Sequence, residues 1–202
     1  MQYRISDETL HFNGESTLIS LQNGGGKSVL VQMLTAPFVH PRYRNTKDRL
    51  FESYFTTNKP SFILVEWALD QGAGYVLTGL MVRKSQDMEE DRKENLDIIG
   101  IVSEYQSPCI QDIHHLPVVE KGKKEMILKN FNSCRQLFET YKKDRDMKFF
   151  YYDLTNYAQS RQYFNKLMEY QINYKEWETI IKKINLKESG LSDLLRNCKD
   201  EK

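Results

Sequence analysis

Apolar and polar positions alternate through Phe62–Leu69 and again through Tyr75–Arg83, on either side of Asp70-Gln71-Gly72-Ala73-Gly74. Alternation bounded by turn residues predicts two strands joined as an antiparallel hairpin. Upstream, the β-favouring run Thr17-Leu18-Ile19-Ser20-Leu21 leads into Gln22-Asn23-Gly24-Gly25-Gly26-Lys27-Ser28 and then Val29-Leu30-Val31-Gln32-Met33-Leu34. That order predicts strand, glycine loop and helix. Pro37 and Pro41 end the helix, and Arg42, Tyr43, Arg44, Lys47 and Arg49 follow in an irregular polar stretch. Short strands are expected at Ile98–Val102 and Phe149–Tyr152.

From Lys121 to Arg145 apolar residues recur at Ile127, Phe131, Cys134, Phe138 and Tyr141, which predicts an amphipathic helix with a basic outer face. Tyr163, Leu167, Tyr170, Tyr174, Trp177, Ile181 and Ile184 predict helix over 160–184, and the pair Asn173 and Glu176 marks a cap that divides it in two. The span 86–97 carries Asp87, Glu89, Glu90, Asp91, Glu94 and Asp97 against Arg92 and Lys93, and reads as a solvated excursion.

The chain has 202 residues, 40% hydrophobic and 28% charged. A single α/β domain of that size removes roughly 70% of its unfolded surface from water, so neither disulfides nor a structural metal is needed. Lys and Arg number 29 against 28 Asp and Glu, a net charge of +1, so attraction to a polyanion has to be local. No apolar run approaches the ~20 residues that span a bilayer, and no apolar leader follows Met1. The expectation is a cytoplasmic protein with no membrane partner. Cys109, Cys134 and Cys198 are widely spaced with no CxxC pair, which fits a reducing compartment and excludes a cysteine zinc site. Asp112-Ile113-His114-His115 lacks the separated ligands of a tetrahedral site and reads as a polar loop.

Chemistry concentrates at residues 21–28. Binding a nucleotide's phosphates takes backbone N–H donors converging on one concavity, a cation for the β/γ oxygens and a hydroxyl for magnesium. Asn23, Gly24, Gly25 and Gly26 supply the loop, Lys27 the cation, Ser28 the magnesium-side hydroxyl, and the helix from Val29 its N-terminal dipole. The full P-loop pattern has its first glycine where this chain has Leu21. A GTPase base-reading motif is broken, because Thr57-Asn58-Lys59-Pro60-Ser61 puts Ser in place of Asp. Glu66 and Asp153 each end an apolar strand and are candidate magnesium-side acids.

Leu21–Gln32, followed by Phe62-Ile63-Leu64-Val65-Glu66-Trp67, resembles the N-terminal head lobe of the SMC-type ABC ATPases, and is similar to the MukB-like and condensin-like ATPases, including those of Wadjet plasmid defence. The resemblance rests mainly on 18–34 and 60–84. It implies a P-loop NTPase fold with a mixed sheet and flanking helices, in which 1–202 is one nucleotide-binding lobe and 121–195 its helical part. It further implies ATP and Mg2+ as cofactors and Lys27 as the catalytic cation. The signature motif and Walker B acids would lie in a C-terminal head lobe beyond a coiled coil of the same protein. A second head as homodimer partner, accessory subunits, DNA and a nucleoid location in a bacterium are the remaining implications. By placement Glu188 falls where such heads carry their Q-loop, and the chain is then expected to be a piece of a longer protein.

Candidate DNA contacts are Arg42, Arg44, Lys47 and Arg49, where cations and an aromatic interleave, and the basic face at Lys121, Lys123, Lys124, Lys129, Lys142, Lys143 and Arg145. Two other functions fit the same residues. One is a self-contained small P-loop phosphotransferase using Glu66 or Asp153, and the other is a non-enzymatic interaction domain with a degenerate loop, for which Leu21 speaks.

Overall fold

A computed structural model describes residues 8–22, 26–46, 49–86, 94–123 and 125–186. Its centre is a four-stranded sheet in the order β1-β2-β3-β6, built from Ser61–Ala68, Tyr75–Lys84, Leu96–Tyr105 and Lys148–Asp153. The predicted hairpin is β1 and β2, in register from Ser61 opposite Val82 to Ala68 opposite Tyr75. β3 pairs antiparallel with β2 and β6 antiparallel with β3, so the sheet is antiparallel throughout and the expected mixed sheet is corrected. The coarse class, helices packed on a sheet, is α/β.

Strand alternation gives the sheet two apolar faces. Ile63, Val65, Val76, Leu80, Val82, Ile98, Val102, Phe150 and Tyr152 line one. Against it pack α1 (Lys27–Thr35), the 3₁₀ turn Ala36–Phe38, α4 (Tyr157–Glu169) and α5 (Tyr174–Leu186). Leu77, Met81, Ile99, Ile101, Tyr105 and Phe149 line the other, covered by α3 (Phe131–Lys143) and by Leu116. α3 buries Phe131, Cys134, Phe138 and Tyr141 at steps of three and four, and the Asn130 side chain caps it by accepting from the Ser133 N–H.

The helix expected from Lys121 starts instead at Phe131. Residues 119–128 form a small hairpin, β4 (Val119–Lys121) with β5 (Met126–Leu128), and Ile127, which fits the helical spacing, is 44% exposed on it. A turn at Gly122, whose N–H donates to the Glu125 carbonyl, closes the hairpin before a helix can nucleate. The predicted break at Asn173 is present: its side-chain oxygen accepts from the Lys175 N–H and its amide donates to Glu176.

Tyr163 joins α4 to the sheet. It is fully buried, its hydroxyl donates to the Pro37 carbonyl at 3.1 Å, and burial holds its pKa well above the usual phenol range. Its ring lies on Gly100, where a Cβ would sit 2.7 Å from a ring carbon. Gly100→Ala therefore forces the ring off the sheet and is expected to cost about 1–3 kcal/mol, lowering the melting temperature by several degrees. A thermal melt followed by circular dichroism measures this, and an unchanged midpoint refutes the contact.

Candidate functional site

α1 opens on Gly26, whose φ of 84° and ψ of 19° lie in the left-handed region. A Cβ there would meet nothing within 4 Å, so backbone conformation and not space asks for glycine. The first intrahelical bond runs from the Leu30 N–H to the Gly26 carbonyl at 2.9 Å. Gly26, as the N-cap residue, brings no side-chain cap to this end, and no acid stands in the first turn. The amides of Lys27, Ser28 and Val29 thus open a positively polarised helix end, with the Lys27 and Ser28 side chains exposed and Val29 half-buried.

Buried polar contacts fix where this helix end points. Gln32, 5% exposed, donates through Nε2 to the Arg44 carbonyl at 2.6 Å and accepts through Oε1 from the Tyr54 hydroxyl at 2.8 Å. Arg44, in the single-turn helix α2 (Pro41–Arg44), returns the tie by donating from Nε to the Ala36 carbonyl at 3.1 Å. At 1% exposure Arg44 is not a DNA contact, which corrects the expectation for that residue. Burial pushes its guanidinium pKa down, while the nearby Glu94 carboxylate and the Tyr163 phenol oppose the shift. Both Nη atoms lack a hydrogen-bond partner among the described residues. Arg42 and Arg49 remain exposed, over the rings of Tyr43 and Tyr54. Asn23, Gly24, Gly25, Lys47, Lys124 and Glu188 lie outside the described residues.

The strand expected at 17–21 is not formed. Residues 16–22 take no regular structure, and Leu18 is 94% and Ile19 38% exposed. An extended segment becomes a strand only where a neighbour completes its ladder, and among the described residues β1, β2, β3 and β6 pair only with one another. Just upstream, Asn13 (φ 51°) and Gly14 (φ 70°) make a tight turn, closed by the Glu15 N–H donating to the Phe12 carbonyl at 3.0 Å. Positive φ at both central residues is the hairpin geometry that an Asn-Gly pair favours, a sequence signal passed over above.

Neither candidate acid faces the glycine loop's helix. Alternation along β1 places Glu66 with Phe62 and Leu64 on the α3 side of the sheet, opposite α1. There its carboxylate accepts from the Tyr105 hydroxyl and, at 3.4 Å, from the Ile113 N–H. Asp153 shares the face of Phe149 and Tyr151, and one carboxylate oxygen accepts from the Thr155 N–H and hydroxyl. The basic positions do not gather either. Lys121, Lys123 and Lys129 flank the β4–β5 hairpin, and Lys142 and Lys143 lie at the other end of α3, roughly 18 Å along its axis.

His114 and His115 belong to a loop organised by Asp112, as expected. Desolvation raises the Asp112 carboxyl pKa, but the His115 ring and the backbone N–H groups of His115, His114 and Cys109 outweigh it and hold the carboxyl below its usual range. No group of three or more metal-ligating side chains occurs among the described residues, nor a helix long and apolar enough to cross a membrane. Comparison with protein families, curated proteins and solved structures finds no match to this chain.

Two measurements test these placements. Arg44→Ala removes the tie to Ala36 and opens a cavity, and is expected to cost about 3 kcal/mol in urea unfolding, whereas Arg44→Met, which fills the space without a buried charge, costs much less. Equal losses would mean the hydrogen bond dominates. Because the Asp112 carboxyl is lowered in the folded state, its stabilisation is present above the ordinary value of about 3.9 and disappears as pH falls through the lower folded value. Asp112→Asn flattens that part of the acid-unfolding profile, and an unaltered profile would remove Asp112 from it.

Proposed function

We propose that this chain is the ATP-binding half of an SMC-like ABC ATPase that acts on DNA, in chromosome maintenance or plasmid defence. The observation that carries the proposal is the left-handed Gly26 turning directly into a helix that opens with Lys27-Ser28 and has no acid in its first turn. This is the local geometry an anion-binding helix end requires, at the position where the sequence carries the phosphate-loop residues.

ATP supplies a triphosphate whose charge magnesium shares. In the proposed site the loop amides from Asn23 to Gly26 cradle the phosphate oxygens, Lys27 neutralises charge on the outer phosphates, and the Ser28 hydroxyl is the magnesium-side ligand. Lys27 is also the one residue here assigned to stabilising transition-state charge. Glu66 and Asp153, on the opposite sheet face, are not available to activate water or hold magnesium at α1, which weighs against a self-contained phosphotransferase. The exposed apolar side chains of 16–22 support a composite head, in which a C-terminal lobe beyond a coiled coil of the same protein adds strands to this segment. A second head, accessory subunits and a place in the bacterial nucleoid belong to the same proposal.

Isothermal calorimetry of the 202-residue chain should show heat with Mg-ATP that Lys27→Ala abolishes and Glu66→Gln leaves unchanged. Steady-state turnover should be close to background. Robust hydrolysis by the chain alone, or ATP heat that survives Lys27→Ala, would overturn the proposal.

A further inference from the structure

The sheet order β1-β2-β3-β6 leaves one side of β1 without a neighbouring strand among the described residues. Which backbone groups face that side follows from the pairing with β2. The Leu69 N–H donates to the Gly74 carbonyl at 2.9 Å, so by alternation residues 61, 63, 65 and 67 also bond to β2. The N–H and C=O groups of Phe62, Leu64, Glu66 and Ala68 point the other way, and none of them has a backbone partner among the described residues.

Folded chains guard such an edge with lysine, an internal proline or a bulge. β1 has none of these. It pairs with β2 without interruption from Ser61 to Ala68, Pro60 stands just before it, and Glu66 is its one charged residue. Phe62, Ile63, Leu64, Val65 and Trp67 are half-buried, so a strand laid alongside would cover apolar surface that β2 flanks from one side only. Trp67 holds the edge in place, with its Nε1 donating to the Thr78 hydroxyl at 2.9 Å and its ring edge-on to Phe38 at 5.3 Å.

The residues of β1 fit a second β1. Two copies related by a two-fold axis pair antiparallel, and outward residues must meet outward residues. An axis at Leu64 or further upstream sets Pro60, which has no N–H to give, opposite an outward residue. An axis at Glu66 puts two carboxylates directly opposite, and one beyond it runs Phe62 and Leu64 past the end of the partner strand. At Val65 every outward residue pairs, Phe62 with Ala68 and Leu64 with Glu66. Val65 then meets its own copy and Ile63 meets Trp67, while the small Ala68 leaves room for the Phe62 ring. The two Glu66 carboxylates lie only diagonally, each accepting from Tyr105 and Ile113 of its own chain.

We infer that β1 is a dimerisation edge, on which a second copy of this chain pairs antiparallel about Val65 and continues the sheet from one chain into the other. The inference rests on β1 and holds whether or not α1 takes up a nucleotide. One strand pair is a small interface, so the dimer is a weak one, with a dissociation constant on the order of 10 µM.

Sedimentation velocity of the 202-residue chain, over roughly a hundredfold concentration range around that value, should show monomer passing into dimer. Ala68→Pro, at an exposed position whose N–H the monomer leaves free, should weaken association about tenfold with an unchanged circular dichroism spectrum. Val65→Cys, close in volume to the native side chain, should give a disulfide-linked dimer under mild oxidation, because non-hydrogen-bonded partners on the axis lie about 4.5 Å apart at Cα. Ile63→Cys should not, since its copy sits roughly 13 Å away along the strand. Wild type, with Cys109, Cys134 and Cys198, gives the background. A chain that stays monomeric, a dimer that survives Ala68→Pro, or equal linking at Ile63→Cys and Val65→Cys each overturns the inference. Lys27→Ala should leave association unaltered, so loss of the nucleotide site and loss of the dimer are read separately.

Discussion

The direction of α1 depends on the side-chain amide of Gln32. An amide buried to 5% exposure is costly unless its donors and acceptor are used, and here Nε2 reaches the Arg44 carbonyl while Oε1 receives the Tyr54 hydroxyl. Apolar contacts through Met33 press the helix onto the sheet, yet such contacts are non-directional and tolerate rotation about the helix axis. The amide does not. Because Gln32 is part of the same helix, fixing its rotation also fixes where the backbone amides of the first turn point. Arg44 closes the loop from the other side by bonding the Ala36 carbonyl, so helix, 3₁₀ turn and α2 are tied together by hydrogen bonds.

The same unit reaches the far end of the chain. Four residues before Arg44, His40 is held by Glu178 and packed between Phe164 and Tyr174, which joins α2 to both α4 and α5. Tyr163 adds a second tie, with its hydroxyl on the Pro37 carbonyl and its ring on Gly100. Everything that positions the glycine loop's helix therefore lies on one face of the sheet. The other face, under α3, carries Glu66, Asp153 and the Asp112 loop, whose carboxylates are engaged in local hydrogen bonds. Neither Glu66 nor Asp153 therefore shares the sheet face that carries α1.

Much of the fold was legible where one periodicity had no rival. The hairpin of β1 and β2 alternates cleanly and is bounded by turn residues, and α3 repeats at helical spacing behind an asparagine cap. Legibility failed where two readings shared the same residues. Ile127 fits a helical step from Phe131 and also a strand opposite Glu120, and only the Gly122 turn decides between them. Asp97 read as the end of an acidic excursion but sits inside β3, opposite Arg83 and bonded to its Nε at 2.8 Å. Arg44 read as surface charge because arginine seldom buries, and nothing local announces that its Nε will find the Ala36 carbonyl. Of the glycine loop, only Gly26 and the helix expected after it fall within the described residues, and that helix is present as α1.

The segment 16–22 shows most plainly what a local pattern cannot settle. Thr17–Leu21 has β-favouring composition, and the Asn13-Gly14 turn is already set for a hairpin, yet no ladder forms. Strand propensity is largely a preference for a pleated, half-buried surface, so it is expressed only when a neighbouring strand and a covering layer are both present. Here β1 pairs with β2 on one side, and Leu18 has neither neighbour nor cover. α1 nonetheless forms, because Gln32 and Met33 anchor that helix to the folded unit without help from 16–22. The helix end is thus positioned by the folded unit behind it and not by the segment that precedes it.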